Sequence, residues 1–257
     1  MISLITIITS TPANSKQLLK LLTHCFNNFV NKDIEWIVVD DGKESIKDVI
    51  PNDERIKYYH FDEESIAKLY TSLCDAIKEK RKTDKKIKLM IRKPFINIPV
   101  GMKRNLACSY ASGDVIINFE PNCYYFADYP DFIMSKLDSK IASCITTEGM
   151  GHFNTKKYIS VMTKQPERTS GLRRYCIPLI AMTRKYWESR KFDNQSIENE
   201  YDGFFSKRNI TLYDYLQSKN VIRLYSEYSA IFDKIEPNGW HFKELSETEY
   251  LFIIDNC

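Results

Sequence analysis

Oxygen-bearing side chains follow three short apolar stretches of this 257-residue chain, each at the point where the stretch ends. Thr9-Ser10-Thr11 follows the first stretch, Asp40-Asp41 the second and Glu120-Pro121-Asn122 the third. Such oxygens accept hydrogen bonds from a ligand, and carboxylate and amide oxygens also bind hard divalent cations. From residue types alone, the third group is a metal site, a metal site that has lost one carboxylate, or a simple turn.

Apolar periodicity predicts that strands and helices alternate along the first half of the chain. We expect Ser15 to cap the first helix and Gly113 to adopt a left-handed conformation after the third. The second half is less periodic, and its residues 221–225 fit a strand or a helix. The predicted strands are 3–8, 35–39, 56–61, 88–92, the run after Asp114, and 177–182; the predicted helices are 15–29, 64–80, 102–112, 131–137 and 213–216.

Alternation of this kind is typical of an α/β fold with a mainly parallel central sheet flanked by helices. Ligands of such sheets bind at the carboxyl ends of the strands. The three polar groups lie at three predicted strand ends, so we expect them to form one site within a single domain.

Composition excludes several classes of function. The chain lacks an apolar run of the roughly 18 residues that a membrane span needs, so no transmembrane segment is expected. Its seven cysteines show no CxxC spacing, which argues against a zinc site and favours reduced thiols in the cytoplasm. The net charge of +3 is too small to indicate nucleic acid binding.

Two common nucleotide-binding motifs are absent. The turn after the first predicted strand, TSTPAN at 9–14, contains no glycine, and the chain has no GxGxxG or GxxxxGK[ST] motif. A bound phosphate would therefore be held by a cation or by basic side chains.

Four motifs in order resemble the nucleotide-binding half of the family 2 glycosyltransferases with the GT-A fold. They are TSTPAN at 9–14, EWIVVDDG at 35–42, the Arg-Asn helix with ASGD within 101–114, and the acidic FEPNCYY at 119–125. The resemblance covers residues 2–131, and 177–192 and 198–208 are similar to the weaker C-terminal pattern of the family.

The resemblance implies a site for a nucleotide-sugar donor. Asp40, with Asp41 beside it, would accept the N3–H of a uracil ring, although Asp-Asp-Gly is also a common turn. The implied ring walls are Thr9, Thr11 and Pro12; the implied contacts to the charged part of the nucleotide are Arg104 and nearby Lys103.

The family's acidic pair binds Mn²⁺ or Mg²⁺, and here it corresponds to Glu120 and Asn122. Asn122 offers a carbonyl oxygen but no negative charge, so the resemblance implies a weakened metal site. A metal-independent or inactive site and a plain turn stay open as alternatives.

The resemblance also implies a general base in the acidic segment 198–202. The family's usual adjacent Glu-Asp pair is absent, so Glu200 and Asp202 compete for the role. Glu200 is favoured because it lies four residues before Phe204 and would share its helical face, whereas Asp202 precedes a glycine in a turn-like pair. An exposed acidic loop is the alternative.

These features together predict an inverting transferase. It would move a sugar from a nucleotide-sugar, UDP-linked by preference, to a hydroxyl group of a glycan, protein or lipid-linked acceptor. Residues 1–123 would form the nucleotide-binding half and 124–257 the acceptor half. The rivals are a catalytically inactive relative that binds a nucleotide or sugar, and a nucleotidyltransferase, which the missing Gly-rich loop disfavours.

Overall fold

The computed structural model describes eleven stretches of the chain. They are residues 1–9, 12–87, 94–121, 123–137, 142–145, 149–151, 157–161, 180–195, 210–213, 221–224 and 240–244. Within these stretches no helix is long and apolar enough to cross a lipid bilayer.

The described strands form a seven-stranded main sheet and a five-stranded second sheet. Their bounds are β1 Ile2–Ile8, β2 Ile34–Asp40, β3 Ile56–His60, β4 Val115–Asn118, β5 Cys123–Tyr125, β6 Ala142–Ile145, β7 Gly149–Gly151, β8 Lys157–Val161, β9 Ile180–Thr183, β10 Ile210–Tyr213, β11 Val221–Leu224 and β12 Trp240–Glu244. The main sheet has the order β10-β6-β9-β4-β1-β2-β3, and the second has the order β12-β8-β7-β11-β5.

The main sheet is parallel where the candidate site lies. β1 pairs in parallel with β2 on one side and β4 on the other, and β2 pairs in parallel with β3. β9 runs antiparallel between β4 and β6. Ile8 lies opposite Asp40, which lies opposite His60, so the strand ends meet at one edge. The predicted mainly parallel α/β sheet is confirmed.

Helices cover both faces of this sheet. The described helices are α1 Pro12–Asn28, the 3₁₀ turn Lys47–Val49, α2 Glu63–Thr83, α3 Val100–Tyr110, α4 Tyr129–Lys136 and α5 Arg184–Ser189. The even-numbered apolar residues of β1 and β2 pack with α1 and α4, and the odd-numbered ones pack with α3 and α5. This burial on both faces explains why the strands are continuously apolar.

Three local predictions are wrong. Ser15 is not a cap, because α1 already begins at Pro12, and proline is favoured at the first helical position where no N–H is needed. Tyr213 ends β10 and so does not begin a helix, while the rest of that predicted helix, 214–216, lies outside the described residues. Gly113 does not have the positive φ of a left-handed cap. It is needed for space, since a Cβ there would lie 2.7 Å from both the Met1 carbonyl oxygen and Ser3 Oγ.

A buried glutamate ties together the amino ends of the strands. Glu35 Oε1 accepts hydrogen bonds from Ser3 Oγ at 2.6 Å and Ser112 Oγ at 2.8 Å, and Lys57 Nζ donates to Oε2 at 2.8 Å. Burial alone would raise the pKa of Glu35, but these hydrogen bonds outweigh burial and lower it to about 2. Because Ser112 follows α3, the network fixes where that helix ends.

We predict that Glu35 makes folding stability pH-dependent. Its pKa in the folded chain lies below the ordinary 4.5, so its stabilisation is present above pH 4.5 and is lost as the pH falls toward 2. The difference in free energy of unfolding between the parent and Glu35→Gln, measured with urea, should shrink by about 3 kcal/mol as the pH falls through this window.

The exposed Glu79, which pairs with Lys82, supplies the matched control. The difference in free energy of unfolding between the parent and Glu79→Gln should stay nearly constant with pH, because ion pairs on the surface contribute little to stability. If the difference in free energy of unfolding between the parent and Glu35→Gln also stayed constant between pH 5 and pH 2, that result would contradict the role assigned to this network.

Candidate functional site

Asp40, the last residue of β2, is completely buried at the carboxyl edge of the sheet. Its Oδ1 accepts the Gly42 N–H at 2.8 Å, and its Oδ2 accepts the Tyr58 hydroxyl at 2.7 Å. Tyr58 Oη also accepts the Ile46 N–H at 3.0 Å, so the phenol is fixed from both sides. These hydrogen bonds fix the orientation of the Asp40 carboxylate.

Tyr58 is a site residue that the sequence analysis missed. Burial, with a smaller contribution from Asp40, raises the pKa of Tyr58 to about 12, so its hydroxyl stays a hydrogen-bond donor. The strand register is the feature that identifies Tyr58 as a site residue. When β2 and β3 pair in parallel, Tyr58 lies opposite Val38, two residues before Asp40.

Asp41 and Lys103 form a buried ion pair between the strand ends and α3. Lys103 Nζ lies 2.8 Å from Asp41 Oδ1, 2.7 Å from Thr9 Oγ1 and 3.3 Å from the Ile8 carbonyl oxygen. An ammonium group has three N–H donors, and these three acceptors account for them. Burial lowers the pKa of Lys103, and the charge of Asp41 opposes that shift.

The remaining oxygens of this cluster are also engaged. Asp41 Oδ2 accepts the Ile98 N–H at 2.6 Å, and Thr9 Oγ1 donates to Asp41 Oδ1 at 2.7 Å. The structure therefore brings Thr9, Asp41 and Lys103 together as predicted, but as partners of one another. Their contact with a nucleotide stays a prediction.

Arg104 and Glu120 form a second ion pair at the same edge. Arg104 Nη2 lies 2.9 Å from Glu120 Oε1, and the side chains are only 5% and 14% exposed. Arg104 comes from α3 and Glu120 from the segment after β4, so the pair connects two of the predicted contributors to the site.

The chain turns at Pro121, directly after Glu120. The Cys123 N–H donates to the Glu120 carbonyl oxygen at 3.2 Å, which closes the turn, and the Glu120 N–H donates to Tyr125 Oη at 2.7 Å. Thr6 Oγ1 donates to the Phe119 carbonyl oxygen at 2.6 Å, so the residue before Glu120 is anchored in the core. Glu120 is thus placed by a turn that also leads into the second sheet.

The described residues do not fit a resident divalent metal ion. No group of three or more His, Cys, Asp or Glu side chains able to hold a metal ion occurs within the described stretches. Glu120 is already paired with Arg104, and taking one partner from a buried pair costs about 3–5 kcal/mol. Asn122, the other predicted ligand, lies outside the described residues.

Asn105 connects α3 to the segment after α5. Its Nδ2 donates to the Phe192 carbonyl oxygen at 2.9 Å, and its Oδ1 accepts the Phe192 N–H at 3.1 Å. Trp187 Nε1 also donates to Asn105 Oδ1 at 3.0 Å. A side-chain amide presents an N–H donor and a carbonyl acceptor side by side, which matches the carbonyl and N–H groups of Phe192.

Several predicted site residues cannot be placed. Thr11, Glu200 and Asp202 lie outside the described residues, as does Asn122, and Pro12 is described only as the first residue of α1. Their assigned roles, and the division of the chain into two halves at residue 123, stay predictions.

Comparisons with known proteins support the fold. No protein-family model and no curated protein matches the sequence. Among solved structures, S. aureus TarS residues 1–349 in complex with UDP-GlcNAc matches with a TM-score of 0.56 and 13% identity, over 91% of this chain and 61% of that one. The same TarS fragment in complex with UDP matches with a TM-score of 0.52 and 13% identity, over 88% and 60%.

This similarity shows the GT-A-like α/β fold that the sequence predicts. The chain spans about three fifths of the TarS fragment. At 13% identity the likeness concerns the fold and leaves the activity to be argued from the site.

Proposed function

We propose that this chain is a nucleotide-sugar transferase that binds a UDP-sugar at the carboxyl edge of its main sheet. The observation that carries the proposal is the meeting of Asp40, the Asp41–Lys103 pair and the Arg104–Glu120 pair at that edge. The TarS structures with UDP-GlcNAc and UDP add support, because the same fold binds such donors there.

Asp40 is the proposed acceptor for the uracil N3–H. The Gly42 and Tyr58 hydrogen bonds orient this carboxylate at the end of β2. A carboxylate oxygen that accepts a hydrogen bond favours uracil over cytosine, because N3 of uracil carries a proton and N3 of cytosine is itself an acceptor. Because Asp40 is fully buried, the groups that cover its carboxylate must move when the base enters.

Lys103 takes a positioning role in this proposal. Its three hydrogen bonds hold Thr9 and Asp41 at the ends of β1 and β2, so it helps to shape the donor site. Arg104, one residue further along α3, supplies the positive charge that faces the donor's diphosphate.

The transfer step needs a base that removes the proton of the acceptor hydroxyl while that oxygen attacks the anomeric carbon. The bond between the anomeric carbon and the phosphate oxygen of UDP breaks in the same step, and UDP leaves with the bonding electron pair. We assign this role to Glu200 ahead of Asp202, and inversion at the anomeric carbon follows from the single displacement. The proposed acceptor is a hydroxyl group of a glycan, a protein or a lipid-linked molecule.

A nucleotide-binding module without transferase activity is the second candidate. The observation that favours it is the Arg104–Glu120 pair, because it occupies the one carboxylate left at the family's metal position. Donor turnover separates the two candidates, since a binding module keeps affinity for the nucleotide and shows neither transfer nor hydrolysis.

We predict that Asp40→Asn weakens UDP binding by about 1.5–3 kcal/mol, the range for a hydrogen bond to a charged group. This corresponds to roughly a 10- to 100-fold rise in the calorimetric Kd. Asp75→Asn, which changes an exposed aspartate on α2, is the matched control and should leave the Kd unchanged. Equal UDP affinity in Asp40→Asn and the parent would remove Asp40 from the uracil site.

We predict that Glu200→Gln lowers turnover by roughly 10²- to 10⁴-fold while UDP affinity is kept. Asp202→Asn, made separately, should retain most activity. Transfer or donor hydrolysis and UDP binding are measured on both variants. Loss confined to Asp202→Asn would reverse the assignment, and full activity in both would exclude the segment from catalysis.

A further inference from the structure

The Arg104–Glu120 pair determines how the site can meet the charge of a diphosphate. In the glycosyltransferase family that the sequence motifs resemble, two carboxylates face a divalent cation. Here one of the two positions is Asn122, which is neutral, and the other is Glu120, which has an arginine 2.9 Å away. One negative charge is therefore balanced by one positive charge that the protein itself supplies.

A divalent cation at Glu120 would meet two obstacles. It would have to displace a guanidinium that is only 5% exposed, leaving that charge with poor access to water. A cation that kept Arg104 in place would instead lie beside a like charge and share a single carboxylate with it. The affinity of hard cations depends on the number of charged oxygen ligands, and one shared carboxylate is a weak set.

The arginine is suited to the role that the cation would have filled. A guanidinium carries five N–H donors in a planar fork that matches carboxylate and phosphate oxygens. It can therefore hold Glu120 on one side and a phosphate oxygen on another. The turn at Glu120 and helix α3 fix both members of the pair.

We propose that this chain binds the diphosphate of its nucleotide without a divalent cation, with Arg104 as the positive charge and Glu120 as the counter-ion of Arg104. The proposal rests on the function proposed above and adds the chemistry by which the donor's charge is recognised. It departs from the metal site that the sequence resemblance implies.

The test measures UDP affinity by calorimetry in buffer with EDTA and in buffer with Mn²⁺ or Mg²⁺. We expect the Kd of UDP for the parent to agree within about threefold between these buffers, because no divalent cation contributes to the affinity. In Asn122→Asp, which restores a charged oxygen ligand, Mn²⁺ should tighten UDP binding at least tenfold. Tenfold or tighter UDP binding with Mn²⁺ in the parent would overturn the proposal.

A second measurement separates this proposal from the proposed function. Mn²⁺ alone is titrated into the parent and followed by electron paramagnetic resonance, with Glu120→Gln as the comparison. We expect no Mn²⁺ binding that depends on Glu120; micromolar binding that Glu120→Gln abolishes would overturn the proposal. Absence of UDP binding in every buffer would instead contradict the proposed function, and the Mn²⁺ titration would still decide the role of Glu120.

Discussion

The candidate site depends on the hydrogen bonds of the Lys103 ammonium group, which is buried between the ends of two parallel strands. A buried charge is tolerated only with partners, and Lys103 has three: the Ile8 carbonyl, Thr9 and Asp41. These acceptors belong to the end of β1 and the end of β2, while the lysine belongs to α3. One ammonium group therefore fixes the helix against the edge where both strands finish.

The neighbours of Lys103 follow from this placement. Consecutive residues of an α-helix point about 100° apart, so positions 103, 104 and 105 face three different parts of the molecule. Lys103 reaches the strand ends, Arg104 reaches Glu120 after β4, and Asn105 reaches Phe192 after α5. At the opposite edge Glu35 holds the turn that follows α3, so the helix is tied at both ends by buried polar groups.

The sequence predicted the elements whose pattern is local. The strands 3–8, 35–39 and 56–61 and the helices 64–80 and 102–112 correspond to β1, β2, β3, α2 and α3, because each has an apolar pattern of its own. Tyr58 was missed because its role depends on the pairing of β2 with β3. The ion pairs could not be foreseen either, since residue type shows that Arg104 and Glu120 are charged but does not show that they face each other.

The Gly113 error has a related origin. A glycine after a helix favours a left-handed cap, but here the constraint is the close approach of the chain start, which only the folded structure shows. The second sheet was missed because its strands come from weakly periodic segments that are far apart in sequence, such as β5 and β11.

A crystal structure of the chain with UDP is the direct test of the proposed donor site. We predict the uracil ring at the carboxyl edge of the main sheet, with N3 within about 3 Å of an Asp40 carboxylate oxygen. We also predict the diphosphate beside Arg104, with Lys103 still bonded to Asp41. Well-ordered UDP bound away from this edge, with no contact to Asp40 or Arg104, would contradict the proposed donor site.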